Sequence, residues 1–124
     1  MRISDKALAQ IKEQIRFKDL AAHALGVAMV SMELEKLRLT DPASEMSRLE
    51  RYMRLGAVQS EFDGYRATHM GVVLKANARQ REIGEAALEE LGLASESRVF
   101  TIDERNGDVL ELINDTYVAV LEAA

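Results

Sequence analysis

His23 and His69 are the side chains of this sequence best suited to hold a metal ion or carry a proton near neutral pH. Neither has the neighbours that such chemistry needs. A bundle metal site uses Glu-x-x-His, and three residues before the histidines stand Leu20 and Arg66. The zinc-protease pattern His-Glu-x-x-His is absent as well. Each histidine falls in an apolar stripe, which reads as a packed or interface position. Glu82, Glu85 and Glu89 share one helix face and form half of a Mg²⁺ site at best, because further inward carboxylates must come from another segment. A metal-dependent bundle enzyme is therefore the weakest reading, and a solvated face beside Arg79 and Arg81 is the simpler one. Arg48, Arg51 and Arg54 form one short basic stripe, and Lys75, Arg79 and Arg81 form another. Such stripes can meet phosphates. Here Glu45, Glu50, Glu82 and Glu85 interleave with them and no aromatics accompany them, so ordinary salt bridging is expected. With no Cys, no Gly-x-Gly-x-x-Gly and no phosphate loop, the expectation is a non-enzymatic protein without cofactor or bound metal.

The elements that carry these residues are mostly helical. Of 124 residues, 48% are apolar, 5% aromatic and 30% charged, and one is Pro. That is helix-bundle composition on the scale of one module. Ser4 can cap a helix running over about 5–38. Asp41 and Pro42 suit the start of a second helix, over about 42–91. Gly92 follows as its left-handed end residue, with Leu88 and Leu93 spaced for the contact that accompanies such an end. Residues 1–92 thus read as a long antiparallel helical hairpin, of coiled-coil or four-helix-bundle type on dimerisation. Residues 93–124 read as an acidic β-hairpin with Asn106-Gly107 at its tip, then a short helix capped by Asn114 or Asp115, docked on the same module.

A tight turn at Thr40-Asp41 makes opposing residue numbers sum to 81 or 82. Leu8, Ile11, Ile15, Lys18, Ala22, Leu25, Met29 and Met32 then face Leu74, Met70, Ala67, Asp63, Ser60, Gly56, Met53 and Leu49. Lys18 and Asp63 form the charged layer, a register pair of opposite signs. A second stripe remains on each helix. Phe17, Leu20, Val27, Val58, Phe62, Tyr65, His69 and Val72 are expected to be covered by a second copy of the chain.

The net charge of −5 is concentrated beyond residue 92, where two basic residues stand against seven acidic ones. This weighs against a nucleic-acid partner and favours solubility or a basic protein partner. Phe100, Ile102, Asp103, Glu104, Asp108 and Glu111 mark the expected partner site, since an isolated hairpin must dock or pair. Met1–Asp5 lacks a basic-then-apolar pattern, and the longest apolar run, 20–32, is too short to span a bilayer. The expectation is an intracellular, cytoplasmic protein without membrane contact, working as a homo-oligomeric assembly or protein-interaction module. That class includes virion components and adaptors. The alternatives are a small inhibitor and a nucleic-acid-associated protein using the Arg stripes.

Overall fold

The computed structural model describes residues 1–93 and 97–121. Two helices, α1 (Asp5–Leu39) and α2 (Arg48–Glu90), precede three strands: β1 (Phe100–Ile102), β2 (Val109–Ile113) and β3 (Thr116–Ala119). No described helix is long and apolar enough to cross a membrane. The chain forms two compact units. One is Met1–Arg16 with Lys75–Ala124, and the other is Phe17–Leu74.

Helix ends follow local chemistry. The Ala7 amide donates to Ser4 Oγ at 3.1 Å, so Ser4 caps α1 as expected. α2 starts six residues later than Pro42 suggested. Asp41 spends its carboxylate on the Ala43 amide, 2.9 Å away, which makes a loop turn rather than a cap. Ser47 takes the capping role, with the Glu50 amide donating to its Oγ at 3.1 Å. From there α2 is continuous through Gly56, Gly64 and Gly71. At its end Gly92 adopts φ 72°, and the amides of Gly92 and Leu93 donate to the carbonyls of Glu89 and Leu88, each at 2.9 Å. That is the paired Schellman closure expected from Leu88-x₃-Gly92-Leu93.

The first unit is built on an apolar cluster. Ile3, Leu8 and Ile11 from the N-terminal segment and α1 pack with Ile83 and Ala87 of α2, and with Leu93 and Val109. Phe100 and Ile102 of β1 lie half-buried against this cluster. The sheet is an antiparallel meander in the order β1-β2-β3, with Phe100 opposite Glu111 and Glu111 opposite Val118. Gly107 closes the first turn with φ 82°, and an added Cβ would stand 3.2 Å from Ile3 Cγ1. The N-terminal residues lengthen the sheet: Arg2 bridges Asp108, and the Val109 amide donates to the Met1 carbonyl at 2.8 Å.

A strand stands where a terminal helix was expected. Asn114 and Asp115 do not cap a helix; both adopt positive φ, 48° and 63°, and link β2 directly to β3. Two consecutive left-handed residues make the turn whose twist matches a two-residue β-hairpin, and Asn and Asp tolerate that conformation best after Gly. Thr116, Tyr117 and Val118 then continue with strand-favouring side chains.

In the second unit, Phe17–Leu74, the two helical stretches run antiparallel through the loop 40–47, and the register differs from expectation. Lys36 Nζ donates to Gln59 Oε1 at 2.6 Å, so facing residues sum to 95 there, not 81 or 82. The longer loop accounts for part of this shift. The inward face of α1 carries Lys18, Ala21, Leu25, Ala28, Met32 and Leu39, and that of α2 carries Leu55, Val58, Phe62, His69 and Val73. Ala21 and Leu39 are buried, where Ala22 was expected inside; Met29 is 48% exposed. The expected seam of α2 points outward, leaving Leu49, Met53, Met70 and Leu74 exposed.

Candidate functional site

Each stretch of α1 and α2 in the second unit carries apolar residues on two opposite faces. The inner faces meet along a groove lined by Ala28, Met32, Glu35, Val58, Phe62 and Tyr65. Val58, Phe62 and His69, expected to face another chain, are half-buried on this inner side instead. Tyr65 and Val72 sit at its margin, 40% and 41% exposed. Tyr65 stacks on His69 with ring centroids 4.0 Å apart, and His69 Nδ1 lies 2.9 Å from the Tyr65 carbonyl oxygen. His69 is therefore held by its own helix, one turn from its partner. Phe17, Leu20 and Val27 are exposed on α1.

Lys18 and Asp63 are not brought together. Their numbers sum to 81 against 95 for Lys36 and Gln59, an offset of about 21 Å at 1.5 Å of rise per residue. Asp63 instead accepts from Gln59 Nε2 at 2.9 Å. Gln59 thus links Lys36 on α1 to Asp63 on its own helix, and this polar relay replaces the expected charged layer.

Two members of the basic stripes are engaged by neighbours on their own helix. Arg54 pairs with Glu50 and Arg79 with Glu82, each at 3.1 Å. Arg38 pairs with Glu35, which holds the Glu35 carboxyl below its ordinary range. These exposed intrahelical pairs contribute little stability. Among the described residues no group of three or more His, Asp or Glu could hold a metal ion.

In the first unit the expected partner residues mostly serve the fold. Phe100 and Ile102 pack on the core. Asp103 is held by Arg105 at 2.9 Å, and Glu104 Oε1 accepts from Gln80 Nε2 at 2.9 Å. Asp108 carries the backbone bridge to Arg2. Arg98 grips Glu111 with Nε 3.0 Å from Oε1, while its guanidinium lies 4.7 Å from the centroid of Phe100. The hydrogen bonds from Arg98 keep the Glu111 carboxyl below its ordinary range. Exposed apolar surface lies further along the sheet, at Leu112, Ile113, Tyr117 and Val118. Nothing among the described residues pairs with the outer edge of β3, a strand without charge or Pro.

What the sequence reading missed is the second row on the outer face of α1, His23, Val30 and Leu37, beside the Leu20 and Val27 it did find. Leu20, Val27 and Leu34 recur every seven residues, and so do His23, Val30 and Leu37. The signal was present as spacing, but it was masked by an equally regular inner stripe. No family model, curated protein or solved structure matches this chain.

Proposed function

We propose that this protein is a homo-oligomeric helical assembly module that works by binding proteins rather than by catalysis. The observation that carries this reading is the large apolar surface of Phe17–Leu74 that a single chain leaves in water. Leu20 is 58% exposed, Leu34 61%, Tyr52 77% and Met53 64%. Apolar helix faces left uncovered in this way mark interaction sites on a folded protein, and closed symmetric self-association is the commonest way to cover them. The test is the absolute mass in solution, by sedimentation or light scattering, over a hundredfold range of concentration. A stable multiple of 13.8 kDa is expected; a monomer at every concentration overturns the reading.

The open, uncharged edge of β3 supports a second contact, in which an extended segment of another protein adds to the sheet. Slowed amide exchange confined to Thr116–Ala119 on adding such a protein is the expected sign. Unchanged exchange there, with binding present, would move the contact elsewhere.

A further inference from the structure

The outer face of α1 has the spacing of a coiled-coil seam. Leu20, His23, Val27, Val30, Leu34 and Leu37 follow one another in steps of three, four, three, four and three. This is the a/d pattern that keeps a stripe facing a second helix as both supercoil. The inner seam of the same helix, Lys18, Ala21, Leu25, Ala28 and Met32, is offset by two positions and so lies on the opposite side. One side of α1 therefore serves the partner helix within the chain. The other side is presented outward, with Val27 57%, Val30 61%, Leu34 61% and Leu37 67% exposed.

We infer that this seam packs, parallel and in register, against α1 of a second copy of the chain; the inference rests on the self-associating reading above. Two features select that occupant. First, a heptad stripe is complementary to another heptad stripe, and pairing the same residues across a two-fold axis places Leu20 on Leu20, Val27 on Val27 and Leu34 on Leu34. Second, the flanking charges fit the parallel pairing. With Leu20, Val27 and Leu34 at a, the g position of the second heptad is Glu33 and the following e position is Arg38. In a parallel pair those two face each other across the seam, twice, with opposite signs. The other flanking contacts pair Asp19 with Ala24 and Gly26 with Ser31, so no like charges meet. An antiparallel pair puts Glu33 beside Gly26 and Asp19 beside Thr40, and the charge match is lost. Arg38 already bonds Glu35 through its guanidinium, which has five N–H donors and can serve both carboxylates.

The chain contains no Cys, so one introduced thiol reports one contact. Leu20→Cys and Leu37→Cys are each oxidised separately under mild conditions in the whole chain, with Arg66→Cys as an exposed position off the seam. Each seam variant is expected to form a disulfide dimer with its own kind in high yield, well above Arg66→Cys. In an antiparallel pair Leu20 lies beside Leu37 of the other chain, so cross-linking only in the mixture of the two variants overturns the parallel geometry. Val27→Glu combined with Val30→Glu is expected to lower the solution mass at unchanged helix content, both positions being exposed in the single chain. If the wild-type chain is oligomeric, yet the double variant keeps its mass and neither cysteine cross-links above the control, the seam is overturned while self-association stands. A monomeric wild-type chain overturns both.

Discussion

A few side chains act here through backbone angle and charge pairing. Gly107 combines a φ that side chains avoid with a close neighbour, since a Cβ would approach Ile3 Cγ1 to 3.2 Å and Leu8 Cδ2 to 3.4 Å. Gly107→Ala is expected to cost about 1–2 kcal/mol from backbone conformation alone, read as a lower melting temperature with unchanged secondary structure. The Arg98–Glu111 pair makes stability depend on pH. The Glu111 carboxyl is lowered by hydrogen bonding to Arg98, and Asp103 is lowered in the same way by Arg105. A carboxyl with a depressed folded value adds stability that is fully present above its ordinary range, near pH 4, and is lost as pH falls through the folded value. Glu111→Gln should therefore lower stability at neutral pH and flatten its decline between roughly pH 5 and 2, measured by urea unfolding at several pH values. At this scale Ser4, Gly92 and the Leu88–Leu93 contact were legible, because capping depends on residues within one turn. The Lys18–Asp63 pair was not, because it needed a register that local residues do not set.

Among the elements, the link between α1 and α2 has the largest consequence. Asp41-Pro42 reads as a helix start, but Asp41 binds the Ala43 amide and Ser47 caps α2 instead. The longer loop moves the register, and the two apolar stripes of α2 exchange roles. Phe62→Glu should therefore weaken the fold of the single chain by about 2 kcal/mol, since it puts a charge into the half-buried inner groove. Met53→Glu, on the outer face, should change it by less than about 0.5 kcal/mol. Chemical denaturation at concentrations low enough to hold the chain monomeric compares the two; equal effects would reject the observed register. The β2–β3 turn offers a second check. Asn114→Val places a β-branched residue at φ 48° and should cost about 1–2 kcal/mol, seen as lost amide protection in Thr116–Ala119. The helix expected there ignored that Asn-Asp between strand-favouring residues is itself a hairpin signal.

For the molecule as a whole, self-association predicts that thermal stability rises with protein concentration, because a partner that binds only the folded chain shifts the folding equilibrium toward it. A melting temperature independent of concentration over two decades would contradict that. The amino-acid sequence by itself determined that the chain is mainly helical, where α1 begins and α2 ends, and that a strand pair follows Gly92. These features depend on periodicity, caps and turn residues a few positions apart. It also determined that apolar residues exceed what one helical hairpin can bury. Only the tertiary structure decided which stripe of each helix faces inward, that Gln59 rather than Asp63 meets Lys36 of α1, and that a third strand follows β2. The reason is physical: two stripes on opposite faces of a helix have the same period and similar apolarity. The choice between them rests on how loop length sets the register of distant residues, which no local pattern contains.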